Sequence, residues 1–564
     1  MKNLLKLILL TVPFFSHAQF ENFDYSLKWC TYFHSESNDL TVLNSAIDEL
    51  NHIYIVGSIQ SQFDLYSDDD SLYNHHGNLD GFIAKFDSDG DLIWFRNYGG
   101  TENDNITHLK IKDNHLFIIG TTGSTDGNII SSNSLNGIND GYVAKLTTNG
   151  DFIWSKCIGG NLSDNLFNLS LSEQDDIYLV GESRSTTNLA TPNSFKEFNE
   201  EGFALPFIAK LDSLGNKIWA TYYGPNNLSF LRNIVVCSEG IYLMGMVFSN
   251  EASGFTFYST TGSHKETADS GADLFLAKFD FEGNRIWGTY FGGIAQDFAL
   301  GSNHLVGKNN ELYFCFATSN NNLATPGAFQ EDIGGSFSFL ISKMTSTGAI
   351  EWSTYSGRAN PNVFSHTLSS SIVLHEDDLY VTGTSSLSEM GTPGSYKQEL
   401  TLGDTDAFVM KYNLAGYKLW GTYFGLENGD GGRNAMFTAN GFYLLGNTNN
   451  ENLSTPDSFI NEYNNESDNF LSKFSLENLS INEISEKQGV IYPNPFQDYV
   501  AFDYPNKIKT IKLFDLLGKE VKSYLSVNSE RFQVNLNTLQ RGVYLVEIEF
   551  INHKKTIKKI VKSF

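Results

Sequence analysis

Ten aspartates recur at two places in a repeated stretch of this sequence. Asp39, Asp104, Asp164, Asp297 and Asp430 stand just before one apolar segment of the repeat. Asp80, Asp140, Asp273, Asp406 and Asp468 stand just before or at another. A ring of carboxylates would bind cations or a basic ligand, and Ca2+ is the cation that such oxygen donors take. No other cofactor is indicated. A second role is open to the same residues, because aspartate at a turn bonds to its own backbone. Repetition favours that structural role. Other clusters are thinner. "SDDDS" at 67–71 lacks the spaced ligands of an EF-hand loop. "DSDGD" at 87–91 stands where other repeats write "TTNGD" or "NLAGY", which makes it a turn. His75 and His76 are adjacent, with only scattered histidines elsewhere. No G-x-S-x-G elbow, H-E-x-x-H helix or P-loop is present, and no catalytic residue is assigned. A carboxylate pair for glycoside hydrolysis can be drawn from the many acids, but the sequence does not choose one.

The elements that position these residues are set by the repeat. All seven tryptophans, Trp29, Trp94, Trp154, Trp219, Trp287, Trp352 and Trp420, belong to it, in phrases such as "KLWGTYFG" and "RIWGTYFG". Ahead of most lies a strand–turn–strand unit, as in "GFIAKFDSDGDLIW". Its glycine, four residues before Trp (Gly90, Gly150, Gly215, Gly283, Gly348, Gly416), fits a positive-φ turn position. Earlier still come a short apolar strand ("IYIVG", "IYLVG", "FYLLG") and a weaker one. One period therefore holds four strands, A to D. The array opens with a D strand at Trp29 that has no C strand before it. It closes with a C strand, "FLSKFS" at 470–475, that has no D strand after it. A ring resolves the mismatch by pairing 470–475 with 27–33, whereas an open array would leave bare edges. The expectation is an all-β chain: a seven-bladed β-propeller over 19–475, a linker over 476–489 and a small β-sandwich over 490–564.

Asp and Glu outnumber Lys and Arg by 65 to 38, a net charge of −27, so phosphate backbones are repelled and nucleic acid is not an expected partner. Residues 1–18 read as a signal peptide: Lys2 and Lys6, a short apolar run, then Ser16-His17-Ala18 before the cut. No later apolar run is long enough to span a membrane, so no transmembrane segment is expected in the mature protein. The cysteines, Cys30, Cys157, Cys237 and Cys315, are widely separated, which suits isolated core residues and leaves a disulfide open. The connections between B and C strands are long, and long loops are often functional. Within them "T-P-x-x-F/Y" recurs at Thr191-Pro192/Phe195, Thr325-Pro326/Phe329, Thr392-Pro393/Tyr396 and Thr455-Pro456/Phe459. The aromatic either folds back on the blade edge or offers a glycan-stacking platform.

The G-F-x-A-K-F/L-D-x-x-G-x-x-x-W-x-x-x-Y-G-G unit resembles the bacterial propeller repeat abbreviated SBBP. Its Gly-to-Trp spacing is also similar to the tryptophan-docking repeat of quinoprotein dehydrogenases, through shared blade packing. The tail resembles the type A C-terminal sorting domain of the type IX secretion system of Bacteroidetes. Tyr492-Pro493-Asn494-Pro495-Phe496, then Leu513-Phe514-Asp515 with Leu517-Gly518-Lys519, then Gly542-Val543-Tyr544 carry that likeness. It implies contact with the type IX machinery, loss of the tail, and release or attachment at the outer cell surface. Residues 482–564 hold 13 Lys+Arg against 9 Asp+Glu, so the tail is basic on an acidic chain. The reading is an exported, non-enzymatic propeller that binds an extracellular glycan or protein. The alternative is a polysaccharide hydrolase or lyase with its site on the long-loop face.

Overall fold

A computed structural model describes residues 20–476 and 490–563. Short stretches at 36, 38, 62, 64–74, 130–134, 226–228, 250–254, 270, 300–302, 360–367, 402–403, 465–466, 516–517 and 552–554 are excepted. The signal segment, the linker 477–489, "SDDDS" and Leu517 lie outside the described residues. The chain divides into two compact units, ending and beginning at Leu476 and Glu477.

The first unit contains seven antiparallel sheets of the A-B-C-D pattern. Blades 1 to 6 follow one another, with C strands at Asp80–Phe86, Asp140–Thr147, Leu205–Leu211, Gly271–Phe279, Ser338–Met344 and Asp406–Asn413. Blade 5 splits its A strand into Asp297–Phe298 and Leu305–Lys308. Blade 7 takes Asp430–Thr438, Gly441–Thr448 and Asp468–Leu476 from the end of the array. Its fourth strand, Tyr25–Phe33, comes from the start and runs antiparallel to 468–476. The ring is closed: Asn434 Nδ2 of blade 7 donates to the Ser45 carbonyl of blade 1 at 3.0 Å, and Lys473 Nζ donates to Ser88 O at 2.6 Å.

The repeated phrase explains why blades stack. The tight C–D turn places its glycine at φ near +90°, where a side chain is strained. In five junctions a Cβ on that glycine would lie 2.7–3.3 Å from the indole of the preceding blade: Trp29 on Gly90, Trp154 on Gly215, Trp219 on Gly283, Trp287 on Gly348 and Trp352 on Gly416. Indole N–H groups of Trp219, Trp287 and Trp352 donate to Phe281, Ser346 and Leu414 carbonyls of the same turns at 2.9–3.1 Å. Blade 7 has no C–D turn, and there Phe23, Tyr25 and Phe442 cover Trp420. Around the axis, A strands of all seven blades line a channel of about 470 Å³. Bulges in the A strands precede Asn44, His108, Asn168, Asn233 and Asn434. These side chains tie neighbouring strands, as in Asn44 Nδ2 to His108 Nδ1 at 3.2 Å and Asn233 Oδ1 accepting from His304 N at 2.7 Å.

The second unit is a small β-sandwich. The strand Tyr499–Phe514 is interrupted after Asp503, and its two halves pair with opposite ends of Glu520–Asn535. Val500, Phe502, Ile511, Val534, Val546 and Ile560 share one core. The tail motif has a structural reason. Asn494 holds the last strand from both sides, donating to Lys559 O at 2.9 Å and accepting from Val561 N at 2.8 Å. Phe496 is fully buried. Gly518 sits at φ +77° in the Asp515–Lys519 turn, and the Tyr544 hydroxyl donates to Gln540 O at 2.7 Å.

Candidate functional site: the long-loop face of the propeller

The repeated aspartates all stand at the end of the blades that carries the long B–C loops, because A and C strands start there. They do not form an exposed rim. Nine of the ten are buried to within 1% of complete. Asp39 is the exception. It is half-buried, precedes its strand by two residues and accepts from Ser35 Oγ at 2.6 Å. Each buried Asp closes the turn before it. Asp80, Asp140, Asp273 and Asp468 accept from the backbone N–H four residues earlier at 2.5–2.9 Å, and Asp406 from that of Thr401 at 3.1 Å. Asp104, Asp164, Asp297 and Asp430 also accept from the N–H four residues earlier, at 2.6–3.1 Å. A side-chain donor follows on each, Ser124, Ser185, Asn320 and Asn450.

The structure brings these residues together in pairs across blade junctions: Asp80 with Asp104, Asp140 with Asp164, Asp273 with Asp297, Asp406 with Asp430. A Cβ on the glycine between them (Gly99, Gly159, Gly292, Gly425) would lie 2.2–3.0 Å from oxygens of both carboxylates. That crowding is why the "YGG" and "YFG" phrases end in glycine. Burial pushes the carboxyl groups up, and the neighbouring carboxylate adds to it at Asp80, Asp140, Asp297 and Asp430. Asp80 reaches about 7, Asp140 and Asp297 about 6, and Asp104, Asp164 and Asp430 are also raised. The pairing was missed from sequence although its signal was there: the partners are always 24 residues apart.

The T-P loops, and the Thr260-Thr261 loop that takes their place in blade 4, are built against the Trp phrase of their own blade. The N–H groups of Thr191, Thr260, Thr325, Thr392 and Thr455 donate to the carbonyl one residue after Trp at 2.8–3.0 Å. The threonine two after Trp accepts from the other end of the loop: Lys196, Lys265, Gln330, Lys397 and Ile460 N–H donate to Thr221, Thr289, Thr354, Thr422 and Thr31 at 2.8–3.0 Å. The tyrosine three after Trp clamps the loop start. Tyr355, Tyr423 and Tyr32 donate to Asn320, Leu387 and Asn450 carbonyls at 2.6–2.7 Å. The loop aromatics pack on the next blade, Phe195 against Phe257 and Phe279, Tyr396 against Phe474, and Phe459 against Phe86.

Between blades 6 and 7 this face opens into a groove of about 1070 Å³. It is lined by Tyr396, Lys397, Thr401, the 425–428 turn, the 449–452 segment and Tyr463. Glu427, Asn428, Asn449, Glu451 and Asn452 are exposed there. The acids beneath are engaged: Asp406 by Lys397 Nζ at 2.8 Å, Asp430 by the Leu426 N–H and the Asn450 amide. Among the described residues no three His, Cys, Asp or Glu side chains converge as a metal site. The four cysteines are free thiols, all but the half-buried Cys237 inside the blades.

Residues 490–563 match the family described as the secretion system C-terminal sorting domain. The chain thus carries the address for type IX export, to the medium or the cell surface. No curated protein matches the chain. Among solved structures, a phage phi92 endosialidase is 11% identical, with 96% of this chain and 88% of that one covered at a TM-score of 0.33. A Synechocystis apocarotenoid oxygenase mutant is 10% identical over 76% and 88%, with a TM-score of 0.34. A Bombyx mori GH32 β-fructofuranosidase is 8% identical over 71% and 86%, with a TM-score of 0.26. The propeller assignment rests on the strand pairing and blade count.

Proposed function

We propose that this chain is an exported propeller of the SBBP type that binds an extracellular ligand, a glycan in the first instance, in the groove between blades 6 and 7. The observation that carries the reading is the lining of that groove. Exposed amides of Asn428 and Asn452 offer donors and acceptors for hydroxyl groups, Asn449 beside them gives one amide hydrogen to Asn428 O, and Tyr396 and Tyr463 add aromatic surface to the lining. The repeated Asp residues are used inside the junctions, which leaves the exposed polar side chains to do the recognising. Export after signal-peptide removal and loss of the tail would deliver the propeller to the medium or the outer surface.

A glycan array followed by calorimetry with soluble polysaccharide fragments tests the proposal. Tyr463→Ala and the Asn449→Ala/Asn452→Ala pair are expected to weaken binding about 10- to 100-fold, the range for losing a stacking contact or two hydrogen bonds. Unchanged affinity in both variants would remove the groove as the site. The hydrolase reading keeps one specific support: Glu427 and Glu451 line the same groove. Turnover of a bound fragment, abolished by Glu427→Gln or Glu451→Gln, would replace binding with catalysis.

A further inference from the structure

The buried aspartate pairs are not equivalent in charge. At the blade 4–5 junction, Lys265 Nζ lies 3.2 Å from Asp273 and donates to Gly292 O at 3.1 Å. At the blade 6–7 junction, Lys397 Nζ lies 2.8 Å from Asp406 and donates to Gly425 O at 2.9 Å. The unpaired Asp468 has His34 Nδ1 at 2.6 Å, close enough for an ion pair though not aligned as a hydrogen bond. Blades 3 and 5 lack the C-strand aspartate, having Leu205 and Ser338. There Lys196 donates to the equivalent Gly224 carbonyl, and Gln330 to the Gly357 and Asp332 carbonyls.

The junctions of blades 1–2 and 2–3 have both carboxylates and, among the described residues, no such cation. The B–C connections that would supply it, 60–79 and 123–139, contain no Lys or Arg. His76 gives Asp80 only its backbone N–H, and its own side chain is exposed. Lys217, whose charge Asp164 feels, spends its ammonium on the Asn188 and Leu189 carbonyls. Oδ1 of Asp80 and of Asp140 is buried and has no hydrogen-bond donor among the described residues; Oδ1 of Asp406 shares that condition while its Oδ2 takes Lys397, so the missing ammonium is what sets the first two junctions apart. Oδ1 of Asp80 and of Asp140 faces the space beside Gly99 and Gly159, which an oxygen of Asp104 or Asp164 borders from the other side. Two buried carboxylates left uncompensated are costly, and a lysine, a bound cation or a shared proton relieves them.

We propose that the blade 1–2 and blade 2–3 junctions each bind one Ca2+-class cation. Asp80 with Asp104, and Asp140 with Asp164, hold it where Lys265 and Lys397 supply the charge in blades 4 and 6. The donors are hard oxygens, with main-chain carbonyls and water completing the shell, which selects Ca2+ over softer metals. Cys157 does not alter that choice, since burial and then Asp140 push its thiol up to about 12. Extracellular calcium modules bind at about 10⁻⁴–10⁻³ M. The inference is independent of the ligand in the blade 6–7 groove.

The test is equilibrium dialysis and thermal unfolding of the chelator-stripped full chain with Ca2+. The expected result is two Ca2+ bound per chain at about 1 mM and a Tm that rises with Ca2+. Asp80→Asn and Asp140→Asn are each expected to leave one, and the double variant none. Tb3+ emission sensitised by the aromatic core and displaced by Ca2+ reads the wild-type sites directly, should a variant fail to fold. No saturable Ca2+ binding, or stoichiometry unchanged in both Asn variants, overturns the proposal. So does an Asp80→Asn variant more stable than wild type at saturating Ca2+, because a shared proton would then be the junction's own solution.

Discussion

Blades 1 and 2 differ from blades 3 to 7 in how they hold the long-loop face. In blades 3 to 7 the two residues after the one following Trp are Thr and Tyr, and together they pin and clamp the B–C loop. Blades 1 and 2 have Arg96-Asn97 and Lys156-Cys157 at those positions. Arg96 instead pairs with Asp151 on the next blade at 2.9 Å, and the buried side-chain amide of Asn97 has no hydrogen-bond partner among the described residues. In blade 1, Phe95 stacks on Phe63 at 4.1 Å and on Phe82, filling the space that elsewhere admits the loop backbone. Where the residue after Trp is glycine, as at Gly288 and Gly421, a Cβ would collide with a loop carbonyl at 1.9 or 2.2 Å. The difference shows that one repeat contains two separable modules. Indole-on-glycine docking joins blades at five of the seven junctions, while the Thr-Tyr clamp is an addition that blades 1 and 2 lack, with a lysine at the loop end in blades 3, 4 and 6.

Converting blade 6 to the condition of blades 1 and 2 is the sharpest challenge to this view. Lys397→Met leaves Asp406 and Asp430 buried without their ammonium and is expected to cost about 3 kcal/mol in calcium-free urea unfolding. Added Ca2+ is expected to restore much of that loss, with one more ion bound. A loss that Ca2+ does not touch would mean that Lys397 and a cation are not interchangeable.

A pH titration probes a junction that has its lysine. Burial, and then Asp273, raise the Asp297 carboxyl to about 6, above the about 3.9 of an unfolded aspartate. The folded state therefore binds the proton more tightly. Stability from this group is fully present below about pH 4 and is lost as pH rises through about 6, in all roughly 2–3 kcal/mol. Asp297→Asn is expected to flatten that part of the stability profile. An unchanged slope between pH 4 and 6 would show that Lys265 already neutralises the pair.

The smallest effect is at the clamp. Thr422→Val removes the acceptor of the Lys397 N–H and is expected to cost about 1 kcal/mol. Faster amide exchange should be confined to the 392–401 loop. Exchange that quickens across the whole blade would mean that the clamp is part of the fold and not an addition to it.

The sequence alone determined the blade count, the glycine turns, the out-of-step ends and the tail motifs. Those depend on local rules: a strand alternates, a tight turn needs positive φ, and a ring must close its last hydrogen-bond ladder. The strands 25–33 and 468–476 are far apart in the chain, yet their pairing was legible because each lacked a partner. The aspartates were visible as a periodic set, and their repetition favoured turn-capping over a cation-binding ring. Only the tertiary structure decided that eight of them face each other in pairs across blade junctions, buried beside a glycine. Each pair joins two blades, and its energy depends on whether a loop from one of them delivers a lysine. Burial and the distance between charges belong to the packed ring, so the same Asp in "DGF" or "DAF" is neutralised in one blade and left open in another.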